Sequence, residues 1–218
     1  MDHYLGKEGE KYFQVRLKRR SKEAQAESSK LFIPYIVPGA VVLDFGCGTG
    51  DILKNLPCSR CLGVEINEPS LKIAKEQGIE TFTRIDQVPD EVSDVVISHH
   101  ALEHIEDPIG TLKGLKSKLK PGGIAVIVVP AENPNSKTNR SFKCSDINKH
   151  LFSWTPLTIG NLMTAAGFQV IDSYMAEAGY SHFIEWARKI PPVFEFLKGF
   201  VAILADRYQT VCLGRAPE

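Results

Sequence analysis

The sequence predicts an α/β fold built on a parallel sheet with helices on both faces, and three observations carry that expectation. The apolar runs at residues 41–43 and 124–129 are continuous and β-branched, not alternating, as in strands buried on both faces. Segments of helical pattern separate such runs along the chain, which implies right-handed crossovers between parallel strands. The first run ends in Asp44 and Phe45 and then turns through Gly46, Gly48 and Gly50. Glycines at that place let the backbone turn tightly and approach a ligand closely, because no Cβ stands in the way.

The elements follow in order. Residues 1–30 read as an amphipathic helical segment, with Tyr12, Phe13, Val15 and Leu17 set among charges. Residues 36–39 turn into the first strand, 41–45, and residues 51–56 read as a short helix stopped by Pro57. Residues 62–67 form the second strand, and 69–77 a helix closed by Gly78. Residues 80–84 and 93–98 are the third and fourth strands. A helix over 108–119 ends at Lys120, Pro121, Gly122 and Gly123, and 124–129 is the fifth strand. Thr155 caps a helix that Pro156 opens and that runs to Ala166. Residues 168–175 and 208–215 complete seven strands. Between these last two lies an aromatic excursion, 179–206, containing Tyr180, Phe183, Trp186, Phe194, Phe196 and Phe200 and split into two short helices at Pro191–Pro192. Packing on the sheet edge, capping a cleft, a homodimer face and contact with a lipid-linked acceptor are all open to it.

A length of 218 residues and a hydrophobic fraction of 43% fit one domain over 1–218. The formal net charge is zero, so neither nucleic acid nor an anionic membrane is expected as an obligatory partner. The start at Met1-Asp2-His3-Tyr4 does not read as a signal peptide, and no apolar run reaches the roughly eighteen residues that span a bilayer. Five cysteines without framework spacing fit a reducing, cytoplasmic setting. Cys58 and Cys61 have Cys-x-x-Cys spacing but no second pair, so two unlinked neighbours are expected there.

The glycine spacing narrows the ligand. A dinucleotide turn needs Gly-x-Gly-x-x-Gly, and counting from Gly46 its last place falls on Asp51. A phosphate-binding P-loop fails as well, since no Gly-Lys-Ser/Thr follows. Asp44, two residues before the first glycine, would repel a pyrophosphate and attract a cation. S-adenosylmethionine (SAM), with its sulfonium and ammonium groups, is such a ligand. Glu65, nineteen positions after Gly46 at the end of the second strand, is placed to accept hydrogen bonds from ribose hydroxyls.

The chain resembles the class I SAM-dependent methyltransferases, in particular the group of ubiquinone-biosynthesis O-methyltransferases. The resemblance spans about 41–171. It rests on the run 43–50, on Gly63-Val64-Glu65, on 93–98, on 102–108, on 119–123 and on Ala166-Gly167-Phe168. It implies a Rossmann-like, seven-stranded, mostly parallel sheet whose last strand inserts antiparallel beside the fifth. It implies a helical lid formed by residues 1–35, with Tyr12 and Arg16 reaching the cofactor. Gly46, Cys47, Gly48 and Gly50 would cradle the methionine part, Asp44 its ammonium group, and Ile66 the adenine face. Asp86 would accept from the adenine amino group, and the main-chain carbonyl of Ser98 or His99 would complete the ammonium site. The product would be S-adenosylhomocysteine (SAH) and the acceptor a small molecule, methylated at oxygen by the weight of the family.

Methyl transfer to a hydroxyl gains from a base that removes the proton as the bond forms. His104 and His150 are the candidate catalytic residues. On a helix His100, Glu103 and His104 would share one face. The related O-methyltransferases carry Glu-x-x-Glu-His there, whereas this chain has His100 in place of the first glutamate. That departure counts against magnesium, which prefers oxygen ligands, and leaves a softer metal open; no residue is assigned as a metal ligand.

Overall fold

Neighbouring residues of the first strand, β1 (Val41–Phe45), are buried on opposite faces of the sheet, which is why it reads as an unbroken apolar run. Leu43 joins a core that holds Leu62, Val96 and Ile127 together with Leu112, Leu115, Ile159 and Met163. Val42 joins a second core with Val95, Ile97, Val126 and Val128, closed by Phe32, Ile52, Leu53 and Ala74. A computed structural model describes residues 4–19, 22–132, 142, 148–178, 182–205 and 208–218. Its further strands are β2 (Arg60–Val64), β3 (Glu80–Phe82), β4 (Ser93–His99), β5 (Leu119–Pro130), β6 (Gln169–Glu177) and β7 (Tyr208–Arg215). The sheet order is β3-β2-β1-β4-β5-β7-β6. β1 to β5 pair in parallel, and β7 runs antiparallel to both its neighbours, β5 and β6.

The helices are α1 (Gly6–Arg19), α2 (Lys22–Ser29), α3 (Glu68–Glu76), α4 (Pro108–Lys118), α5 (Pro156–Ala165) and α6 (Pro191–Ala205). Their starts follow the capping chemistry read from the sequence. Asn67, Asp107 and Thr155 each accept a backbone N–H of the first turn, and a proline stands just inside each of α3, α4 and α5. α4 and α5 supply Leu112, Leu115, Ile159 and Met163 to one face of the sheet. Leu112 is fully buried, whereas Leu157 on α5 is 71% exposed. Leu112→Ala should therefore cost about 2–5 kcal/mol in denaturant unfolding, and Leu157→Ala no more than about 0.5 kcal/mol.

Four expectations shift. Residues 51–56 form only a 3-10 turn, Leu53–Asn55, because Ile52 and Leu53 are already drawn into the second core and Pro57 leaves no room for a full helix. β2 starts and ends earlier than read, since its pairing with β1 stops at Phe45↔Val64, where the glycine loop turns away. Glu65 is therefore a loop residue. β5 begins at Leu119, pairing with Ser93 before an irregularity in the ladder, and not at Ile124. Cys58 and Cys61 are joined in a disulfide, contrary to the expectation of two unlinked thiols; the turn after Pro57 brings their Cα atoms to 6.3 Å.

The aromatic excursion folds as a 3-10 segment, His182–Lys189, followed by α6. Ile184, Ala187 and Phe194 make a small core of their own, while Trp186, Phe196 and Phe200 stay exposed. Tyr180 and the side chain of Phe183 lie outside the described residues. No helix among the described residues is long and apolar enough to cross a membrane.

Candidate cofactor site and acceptor cleft

β1 ends where the chain must turn left-handed. Gly46, Gly48 and Gly50 all have positive φ, at 79°, 54° and 80°. A Cβ on Gly46 would lie 2.4 Å from the Ala101 Cβ, and one on Gly50 would lie 2.0 Å from Ile79 Cδ1. The amides of Gly46 and Cys47 both donate to the Val64 carbonyl, at 2.9 and 3.1 Å, folding the loop onto the end of β2. Glu65 comes next in the chain. Its Oε2 accepts from the Gly48 N–H at 2.9 Å and its Oε1 from the Asn67 N–H at 2.8 Å. One carboxylate thus links the glycine loop to the cap of α3.

A cavity of about 580 Å³ opens at the carboxyl ends of these strands, where open α/β sheets place their ligands. Asp44, Gly46, Cys47, Gly48, Glu65 and Ile66 form one wall, with Asp86 and His99 beside them. Tyr4, Tyr12, Phe13 and Leu17 of the N-terminal segment line it from another side, and His100, Ala101 and His104 close the end beyond β4. None of the described residues of 182–205 lines it.

Asp44 is buried, and its Oδ1 has no hydrogen-bond partner among the described residues. Burial, and next the charge of Glu65, push its carboxyl up to about 8. Burial raises Glu65 as well, against the pull of the amides of Asn67, Gly48 and Ile66. A buried carboxyl group with an unsatisfied oxygen, beside a half-buried second one in the same cavity, is costly unless a cation joins them. Asp44 is neutral in most molecules at pH 6.5, so a cationic ligand that ionises it must expel its proton. Calorimetry of SAM binding at pH 6.5, in buffers of different ionisation heat, should count up to one released proton. In Asp44→Asn that release should vanish. The sign for stability is the same: a carboxyl raised in the fold withdraws stability as pH climbs from 3.8 to about 8.

At the far end of the cavity, three imidazoles surround one carboxylate. Glu103 is fully buried, and its Oε1 lies 3.6 Å from His100 Nδ1, 3.8 Å from His104 Nε2 and 3.9 Å from His150 Nε2. These separations are too long for hydrogen bonds. The helical face expected for His100, Glu103 and His104 is not present. The His100 amide donates to the Val128 carbonyl at 2.8 Å with φ at 54°, and only a 3-10 turn, Leu102–His104, follows. Tertiary packing nonetheless gathers the residues, and it adds His150, whose ring meets that of His104 edge-on at 4.8 Å. Glu103, His104 and His150 offer donor atoms within 4.8 Å of one another, a spacing that could hold a metal ion. His104 lines the cavity; His150 and Glu103 stand behind it.

Comparison with known proteins resolves the class. A family profile described as a methyltransferase domain matches residues 16–173. The chain belongs to the methyltransferase-domain family. It is 33% identical over 110 residues to the ubiquinone biosynthesis O-methyltransferase of Bordetella pertussis, covering 45% of this chain and 46% of that protein. The corresponding protein of Marinobacter nauticus is 30% identical over 112 residues, with 45% and 47% covered. The chain thus spans about half the length of the curated relatives it matches. Among solved structures, a SAM-dependent methyltransferase from Archaeoglobus fulgidus aligns with a TM-score of 0.64 at 23% identity, covering 94% of this chain and 99% of that one. A phosphoethanolamine N-methyltransferase from Haemonchus contortus, solved with SAM, aligns with a TM-score of 0.63 at 14% identity, covering 89% and 52%. These structures share the class I, Rossmann-like fold.

SAM is the cofactor of the methyltransferase domain, and the residues present fit it. The unsatisfied Asp44 oxygen, the carboxylate of Glu65 and a loop that a Cβ would obstruct at Gly46 are the features such a cation needs. Tyr12, Cys47, Gly48, Ile66, Asp86 and His99 line the cavity. Asp86 sits at the exposed rim, where Arg84 pairs with it at 2.5 Å and holds its carboxyl below the usual range. Gly50 and Ser98 do not line the cavity. Gly50 shapes the turn against Ile79, and the Ser98 hydroxyl donates to the Phe45 carbonyl at 3.0 Å, tying β4 to β1. The side chain of Arg16 lies outside the described residues. Sequence reading missed Tyr4, which carried no signal, and Asn67, which carried one: Asn67-Glu68-Pro69-Ser70 is a helix start.

Proposed function

We propose that this chain transfers a methyl group from SAM to a small-molecule acceptor, at oxygen, in the cytoplasm. The observation that carries the reading is a pair of carboxyl groups, buried Asp44 and half-buried Glu65, lining one cavity that His104 also lines. In this reading Glu65 accepts from the ribose hydroxyls and Asp44 faces the ammonium group. Ile66 lies on the adenine, whose amino group donates to Asp86, and the backbone at Gly46, Gly48 and His99 holds the methionine part. Residues 1–35 act as the lid, with Tyr12 at its inner surface.

The cofactor supplies a methyl group already activated by its sulfonium. The protein then has to align the acceptor, exclude water and take up a proton. The apolar side chains of Phe13 and Leu17 serve exclusion, and His104, backed by Glu103 and His150, provides the basic end of the cleft. The balanced charge favours a small acceptor over nucleic acid. Oxygen is favoured by the names of the curated relatives, ubiquinone biosynthesis O-methyltransferases.

Thermal-shift titration with SAM, SAH and NAD, followed by SAH release in the presence of small phenols, alcohols and amines, tests the reading. SAM and SAH should raise the melting temperature and NAD should not. A folded protein that binds neither SAM nor SAH overturns it. Binding without SAH release from any acceptor would mark the chain as a silent SAM-binding protein instead.

A further inference from the structure

We propose that Asn67 is the catch that holds the N-terminal segment closed over the cofactor, and that its release sets how fast SAM enters and SAH leaves. The proposal rests on the methyltransferase reading above and deepens its lid by naming what fastens it.

The segment has little apolar packing to hold it. Among the described residues of 4–19, only Gly9 and Phe13 are buried. Lys7, Glu8, Glu10, Lys11 and Gln14 are exposed, so α1 brings few apolar contacts to the domain. A second cavity, of about 560 Å³, opens between this segment and the start of α3, with Leu5, Lys7 and Glu10 on one side and Ile66, Asn67 and Pro69 on the other. Along such an open seam, polar contacts decide whether the segment closes.

Those contacts converge on one side chain. Asn67 is buried, at 3% exposed. Its side-chain amide donates to the carbonyls of Tyr4 and Gly9, both at 3.0 Å. Its side-chain oxygen accepts from the Ser70 amide at 3.1 Å and from the Ser70 hydroxyl at 2.8 Å. Its own N–H donates to Glu65 Oε1 at 2.8 Å. Serine, threonine and aspartate can also cap a helix, but of these capping side chains only asparagine adds an amide with two hydrogens. Here both hydrogens leave α3 and reach a segment 58 and 63 positions away.

The segment is shaped to meet that amide. Gly6 stands at φ 55°, which turns the chain just before Gly9. A Cβ on Gly9 would lie 2.1 Å from the Tyr4 carbonyl oxygen and 3.1 Å from Asn67 Nδ2. Glycine at this place lets two carbonyls and one amide share the space.

The catch sits at the edge of the cofactor cavity. Asn67 lines that cavity together with Tyr4, Tyr12, Phe13 and Leu17, and the rings of Tyr4 and Tyr12 meet edge-on at 4.9 Å. The carboxylate that fixes the Asn67 backbone is Glu65, the group assigned to the ribose. With the catch fastened, the segment stands between the cofactor and solvent; with it released, the segment swings away and the ligand exchanges. Asn67 is a positioning residue, acting through the segment and not on the reacting atoms.

Two substitutions attack the contact from its two sides. Asn67→Asp keeps the cap of α3 but cannot donate to Tyr4 and Gly9. Gly9→Ala displaces the same contact without adding charge, and alanine is otherwise the better residue inside α1. In the ligand-free protein, hydrogen exchange of the amides of 10–17 should quicken about 10- to 100-fold in both variants, as the loss of two hydrogen bonds implies. The double variant should exchange no faster than the quicker single one, because both remove one contact. By surface plasmon resonance, SAH should leave each variant about tenfold faster or more. It should also associate at least as fast as with the wild type, since an unfastened segment opens more often, whereas a damaged site would bind more slowly. Unchanged exchange in one of the single variants, additive effects in the double variant, an unchanged dissociation rate or slower SAH association overturns the catch. If the wild type binds no SAH, the cofactor reading falls, and hydrogen exchange still decides whether Asn67 fastens the segment.

Discussion

Glu65→Ala should weaken SAM and SAH binding by a factor of about 100 to 10,000, with the fold retained. Hydrogen bonds to a charged group contribute about 1.5–3 kcal/mol each, and Glu65 is placed to accept two from the ribose. The substitution also strips the acceptor from the Gly48 and Asn67 amides, now held at 2.9 and 2.8 Å, so the loop and the cap of α3 lose their link. Glu65→Gln keeps an oxygen for one of these partners and should retain more affinity than the alanine variant. Calorimetry with SAH reads both. An alanine variant that binds SAH as tightly as the wild type would remove Glu65 from the cofactor site.

Gly46→Ala should be nearly as damaging to binding, and it should also destabilise the fold by about 2–4 kcal/mol. Two costs combine. A side chain at φ 79° is in the left-handed region, and the new Cβ would meet the Ala101 Cβ at 2.4 Å. Relief requires the loop or the segment after His100 to move, and both line the cavity. Gly48→Ala is the control, since no atom lies within 4 Å of its Cβ and φ is again positive, at 54°. It should show the conformational cost of about 1 kcal/mol without the collision. Denaturant unfolding and SAH titration together separate strain from clash. If the two variants behave alike, the contact with Ala101 does not shape the loop.

The cofactor side of the site was legible because its requirements are local. A strand buried on both faces needs a continuous apolar run, a left-handed turn needs glycine, and a cationic ligand needs an acid close to that turn. Residues 41–50 carry all three within ten positions. Glu65 was legible for a related reason: β2 pairs with β1 in register, so the residue after Val64 must arrive beside Gly46. The Cys58–Cys61 bridge was misread because spacing alone does not report how sharply the chain turns between the two residues.

The acceptor side was legible only in part. His104 could be named from its place after β4, but the helical face imagined for it depended on a regular helix that the left-handed backbone at His100 prevents. Gly50 in the turn and Ser98 near the end of β4 gave no sign in the sequence of the contacts they make within the fold, one packed toward Ile79 and the other bonded to Phe45.

By itself, then, the amino-acid order determined the buried strands of a largely parallel sheet, the glycine turn and the two acids beside it, while the antiparallel last strand was implied only by the resemblance. These follow from backbone conformation and from burial period, which act between neighbours in the chain. Only the tertiary structure decided that Tyr4, Asn67, Glu103, His104 and His150 form one connected group. Their meeting depends on how the N-terminal segment and the stretch before α5 pack over the ends of the strands. No spacing rule spans the 100 positions between Tyr4 and His104, because the path between them is set by the whole core and not by any local bond geometry.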